Sequence, residues 1–126
     1  MRRTLLFLPG NNPGNLQSGA VFGADGIILD LEDSVSPAEK DAARLLVASA
    51  LMSVDYAGVE RAVRINTLAT GGEADIAAVV PCCPDAVMLP KTESIDDIRA
   101  CEALLEKAEA ACGATKKTLI LSLIHI

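Results

Sequence analysis

Residues 26–40 read GIILDLEDSVSPAEK. Ile27, Ile28 and Leu29 form a short apolar run suited to a buried strand, and Asp30, Glu32 and Asp33 crowd its end with carboxylates. Ser36-Pro37-Ala38-Glu39 then carries a helix start, with a cap residue, a first-turn proline and a capping box. A strand that runs through a charged corner into a helix is one β/α unit. The charge at its end calls for a partner.

The same unit recurs outward in both directions. Apolar runs at 4–8, 26–31, 61–66, 85–89 and 118–124 are predicted strands, and the stretches between them carry helix signals. Asn12-Pro13 pairs a cap with a first-turn proline, and Ser94-Ile95-Asp96-Asp97 is a weaker cap. Ala42, Leu45, Leu46 and Ser49 are expected to share one helix face; so are Ile98, Cys101, Leu105, Ala108 and Cys112, ahead of a C-cap at Gly113. Gly71-Gly72 opens a short helix that Pro81 must end. Units repeating every 25 to 30 residues or so imply successive βαβ crossovers and a parallel sheet. An open doubly wound sheet and a (β/α)8 barrel both satisfy that pattern. A complete barrel takes about 250 residues. As a barrel, the 126-residue chain is therefore expected to be a single partial domain over 1–126, with about five strands and four helices.

Composition removes several classes of function. With 51% hydrophobic residues and no low-complexity linker the chain has ample material for a core. Aromatics at 2% and a net charge of −6 argue against base stacking and against phosphate backbones or anionic membranes, so neither nucleic acid nor membrane is an expected partner. Cys82, Cys83, Cys101 and Cys112 contain no C-x-x-C pair and are expected to be reduced core thiols, which points to the cytoplasm. The apolar part of MRRTLLFLPG stops at Pro9, short of a secretory signal, and no run approaches the roughly 20 residues of a membrane span.

Strand alternation locates the polar residues. Ile28, Asp30 and Glu32 share one face and Leu29 and Leu31 the other, which helices should cover. Arg64 and Asn66 repeat the arrangement in AVRINT, as do Leu89 and Lys91 in VMLPKTE. Asp30, Glu32, Arg64 and Lys91 are thus expected to point inward at the carboxyl ends of neighbouring strands, where α/β proteins build their ligand sites. Two readings remain open: a structural ion-pair network, or a site. PGNNPGN, residues 9–15, has neither the spacing of a dinucleotide fingerprint nor a P-loop lysine and reads as a strand-to-helix turn, although its amides with Arg2 and Arg3 are placed to hold a phosphate. His125, the only histidine, lies in a terminal apolar run and supports no nucleophilic triad.

Four blocks, RRTLLFLPGNNPGNL, GADGIILDLEDSVSPAEKDAAR, VRINTLAT with GEADI, and DAVMLPKTES, resemble in order and spacing the HpcH/HpaI aldolase and citrate lyase family, nearest its citrate lyase beta-subunit branch. The resemblance implies a (β/α)8 barrel that binds Mg²⁺ and cleaves a carbon–carbon bond in a thioester. In that branch the substrate is a citryl thioester and the products are oxaloacetate and an acetyl thioester. Malyl-CoA and citramalyl-CoA lyases are related alternatives, and a non-catalytic fragment is a third reading. Carried over residue by residue, Arg64 becomes the catalytic and substrate-binding arginine, with Asn66 and Lys91 as further substrate contacts. Asp30 and Glu32 stand near the metal through water; Arg3 and Asn11 are assigned to the thioester carrier, an acyl-carrier prosthetic group or CoA. The implied partners are citrate lyase alpha (transferase) and gamma (acyl-carrier) subunits and further copies of the full-length protein. The family's metal-binding glutamate falls at Ser122 or His125, so no direct metal ligand is expected within the chain, and residues after about 121 depart from the family pattern.

Overall fold

The structure, a computed structural model, describes residues 3–56, 58–113 and 117–124, with 123 and 124 described by backbone alone. His125 and Arg2 lie outside these residues. In chain order the elements are β1 (Leu5–Pro9), α1 (Pro13–Ser18), β2 (Gly26–Asp30), α2 (Lys40–Ser53), β3 (Glu60–Arg64), α3 (Gly72–Val79), β4 (Ala86–Thr92), α4 (Ile95–Cys112) and β5 (Leu119–Ile124). All adjacent strands are parallel, and the sheet order is 1-2-3-4-5. A doubly wound sheet reverses its order at a switch point and carries helices on both faces. This sheet does neither.

Its two faces differ in kind. On one, Ile27, Leu29, Val63, Val87 and Leu89 pack against Leu16 of α1, Val47 of α2, Ile76 of α3 and Leu105 of α4 in one continuous core. Each aliphatic side chain buried there contributes about 2 kcal/mol. On the other, Ile28, Ala62, Ala86 and Met88 form a thin inner cluster with Leu121, and no helix among the described residues covers it. Leu5, Phe7 and Leu119, in register with this inner row, are exposed.

The predicted face of α2 is displaced. Ala43, Val47, Ala50 and Leu51 are its buried residues, while Leu45 is 72% exposed. A 3₁₀ turn over Pro37–Glu39 precedes the α-helix, so α2 begins at Lys40 and its polar residues Lys40 and Arg44 face the sheet end. In α4 the predicted stripe holds at Cys101 and Leu105 but not at Cys112, which is exposed in the last turn before Gly113. Only Cys101 among the four cysteines is a core thiol; burial pushes it up to about 11. Cys82 is half-buried and Cys83 exposed. The Asn12 cap forms as expected, its side chain accepting from the Asn15 amide at 3.2 Å.

Two glycines permit close approaches at the carboxyl end of the sheet. A Cβ on Gly10 would lie 2.5 Å from the Asp30 carbonyl oxygen, and one on Gly72 would collide with the carbonyl oxygen of Asn66. Among the described residues no helix is long and apolar enough to cross a membrane.

Candidate functional site

The parallel register sets Asp30, the last residue of β2, directly beside Arg64, the last of β3. Both side chains follow Ile28 and Ala62 onto the inner face. Arg64 Nε donates to Asp30 Oδ1 at 2.8 Å and Nη2 to Oδ2 at 2.6 Å, a two-pronged pair. Asp30 also accepts from the amides of Glu32 (2.9 Å) and Ser34 (3.1 Å) and from the Ser34 hydroxyl (2.6 Å). Burial alone would raise its carboxyl. The Arg64, Ser34 and backbone hydrogen bonds outweigh burial and hold it at about 2.

Glu32 comes to the same place from the turn after β2. Its Oε1 is 3.9 Å from Arg64 Nε and its Oε2 is 3.7 Å from Lys91 Nζ. Burial and a hydrogen bond with neighbouring Asp33 raise the Glu32 carboxyl, against the pull of Arg64 and Lys91, whereas the same hydrogen bond lowers exposed Asp33. Phe7 lies under the Arg64 guanidinium, 4.7 Å from ring centroid to Cζ. Asp30 occupies the Nε and Nη2 edge of that guanidinium, and Nη1 has no hydrogen-bond partner among the described residues. Its outer edge is open to a second carboxylate.

Asp30, Glu32, Arg64 and Lys91 therefore do converge, but Lys91 arrives by another route than alternation. Leu89 packs in the helix-side core and not on the inner face. A register shift between Leu89 and Thr92, with Lys91 in the left-handed region at φ 51°, breaks the period of two and turns the lysine toward Glu32. Asn66 does not join Arg64. Beyond the end of β3 it turns away, its amide N–H and Nδ2 donating to Asp75 Oδ2 at 2.9 and 2.7 Å and its Oδ1 accepting from Lys40. Arg3 is also displaced from its expected place. It precedes β1, so it stands at the amino end of the sheet, paired with Asp25. Asn11 is at the carboxyl end, where its side-chain amide donates to Glu39.

Sequence reading passed over Lys40, Asp75, Ser34 and Phe7. Lys40 and Arg44 have the i, i+4 spacing of an ordinary solvated helix face, and Asp75 sits in a first turn where acidic residues are common. Only Phe7 had a signal, the alternation that sets it beside Ile28.

Among the described residues no three His, Cys, Asp or Glu side chains gather closely enough to hold a metal ion. Asp30 is saturated by Arg64, Ser34 and two amides, which leaves Glu32, with Asp33 beside it, as the inward carboxylate able to meet a hydrated cation. Ser122 pairs with Leu89 of the helix-side layer, so it is not an inward position.

A singly wound parallel sheet with arginine, lysine and carboxylates gathered at its carboxyl ends defines a β/α-repeat protein whose polar cluster lies at the strand ends. The chain belongs to the HpcH/HpaI aldolase/citrate lyase family, whose model matches residues 3–125. It is 47% identical over 114 residues to citrate lyase subunit beta of Leuconostoc mesenteroides subsp. cremoris, covering 90% of this chain and 38% of that protein. With (3S)-malyl-CoA thioesterase of Cereibacter sphaeroides it shares 38% identity over 104 residues, 82% of this chain and 36% of the relative. A solved citrate lyase beta subunit from M. tuberculosis, complexed with oxaloacetate and magnesium, superimposes with a TM-score of 0.66 at 29% identity, over 94% of this chain and 56% of that one. The chain thus spans 36–38% of these two curated relatives.

Proposed function

We propose that these residues form the first five strands and four helices of a (β/α)8-barrel lyase of citrate lyase beta type, which cleaves a citryl thioester to oxaloacetate and an acetyl thioester. The observation that carries the reading is the Arg64 guanidinium, pinned by Asp30 on one edge and open on the other, beside Glu32 and Lys91. Cleavage takes the proton from the substrate hydroxyl, breaks the adjacent carbon–carbon bond and leaves the electron pair as a thioester enolate, which is then protonated. Negative charge must be stabilised at the keto acid and at the enolate oxygen. Arg64 offers its free edge to a substrate carboxylate, and because Asp30 already fixes its orientation, little order is lost on binding. Lys91, 64% exposed, adds a mobile positive charge for the same anion. Magnesium, held through water by Glu32, would supply Lewis-acid stabilisation of the oxygen that becomes the ketone. Its direct ligands belong to other parts of the barrel.

The name of the malyl-CoA thioesterase relative favours a CoA-type thioester; an acyl-carrier group is the carrier in the citrate lyase reading. Alpha and gamma citrate lyase subunits and further copies of the protein are the corresponding partners, in the cytoplasm. Oxaloacetate release from citryl thioester by the complete enzyme, with and without magnesium, tests the reading. Release that depends on magnesium supports it; cleavage of malyl-CoA alone would move the chain to the malyl-CoA branch.

A further inference from the structure

Lys40 makes a half-buried three-way contact that the cluster itself does not require. Its Nζ donates to the carbonyl oxygens of Leu31 (3.1 Å) and Glu32 (2.9 Å) and to Asn66 Oδ1 (2.6 Å). An ammonium has three N–H donors, and here each meets a neutral oxygen. No carboxylate pairs with it among the described residues. Asn66 is oriented by Asp75, which is 1% exposed and takes Arg44 Nε on its other oxygen at 2.8 Å. Lys40 and Arg44 are one turn apart on α2, so a single helix face ties the end of β2, the end of β3 and the start of α3 together.

The chain held at 31–32 is the one that carries Glu32. The nearest cations to the Glu32 carboxylate stand at 3.7 and 3.9 Å, beyond hydrogen-bond distance. Its one hydrogen-bonded side-chain neighbour, Asp33, belongs to the same turn, so its place beside Arg64 and Lys91 follows the backbone of that turn, and Lys40 holds two consecutive carbonyls of that backbone beyond the last ladder pair of β2. We propose that Lys40 is a positioning residue, which fixes the Glu32 turn against the end of β3 and keeps the Glu32 carboxylate beside Arg64 and Lys91. This rests on the lyase reading above only for its kinetic consequence.

The experiment uses Lys40→Met, which keeps the stem and removes the donors, with Lys40→Gln as the milder variant should the first fail to fold. Amide hydrogen exchange of the full chain at residues 32–35 is expected to speed about tenfold in either variant while amides of α4 exchange as before. In the complete enzyme kcat should fall about tenfold and KM for the thioester should move much less, since the geometry of Glu32 and not uniform binding is lost. Lys40→Arg, which keeps the charge but not the compact donor, should restore neither. Exchange that accelerates evenly through the sheet and α4, an unchanged kcat in an active enzyme, or full rescue by arginine would each overturn the proposal. If the wild-type enzyme releases no oxaloacetate, the lyase reading falls, and the exchange measurement alone decides whether Lys40 holds the turn.

Discussion

Asp30 is 1% exposed and yet ionised, because five hydrogen bonds replace the water it gave up. Its folded carboxyl titrates at about 2 against a usual 3.8. A depressed carboxyl stabilises the fold fully above the unfolded value and loses that stabilisation as pH falls through the folded one, here about 2 kcal/mol lost between roughly pH 4 and pH 2. Urea midpoints of wild type and Asp30→Asn should therefore differ at pH 6 and approach one another near pH 2; a gap independent of pH would contradict the assignment. Arg64→Ala is expected to lower kcat/KM of the complete enzyme about 100-fold or more and, by leaving Asp30 without its main partner, to cost about 3 kcal/mol in stability. Adding Asp30→Asn to Arg64→Ala should recover most of the stability and none of the activity. Arg64→Lys should rescue neither, since lysine lacks the fork that fits Asp30. Denaturation and turnover of the single and double variants check the set.

At the scale of the element, β4 departs furthest from its sequence pattern. Its residues Ala86, Val87, Met88 and Leu89 alternate as a strand should, and the period then fails at Pro90-Lys91. A left-handed lysine costs about 1 kcal/mol relative to glycine. Lys91→Ala and Lys91→Gly both remove the ammonium and differ only in the backbone, so the glycine variant should melt higher than the alanine variant by a few degrees. Equal melting temperatures would mean that the turn carries no strain. The displaced face of α2 has a similar origin. The helix start near Ser36 was legible, but the expected capping box does not form: the Ser36 side chain makes no cap hydrogen bond, and the 3₁₀ turn that delays the α-helix to Lys40 leaves no mark on the spacing of apolar residues.

For the whole molecule the open inner face is the dominant fact. β1 and β5 each have one edge without a strand partner among the described residues, and Leu5, Phe7 and Leu119 are exposed along the inner rows. Unpaired edges beside exposed apolar side chains favour association. The 126-residue chain expressed by itself is expected to form concentration-dependent oligomers, measurable as solution mass by light scattering, and to show no thermal stabilisation by millimolar magnesium. A monodisperse monomer whose melting rises with magnesium would contradict both the edge argument and the absence of a direct metal set among the described residues.

The local rules of this chain lie in its sequence. Period-two and period-3.6 runs, proline at helix starts and glycine at ends determine which segments are strands and helices, and alternation alone gives the inward direction of Asp30 and Arg64, because a strand side chain has only two faces to choose from. Tertiary structure decided the rest. Whether the sheet is singly or doubly wound depends on which strands pair, a contact between residues distant in the chain. The pairing of Asp30 with Arg64 depends on the register of β2 against β3, which a slip of one residue would reverse. Asn66 turns away from Arg64 and Lys40 turns in to the strand ends because Asp75 and two strand-end carbonyls satisfy their hydrogen bonds better than solvent does. Such competition among polar groups is settled only when helices α2 and α3 close over the strand ends, and no spacing along the chain encodes it.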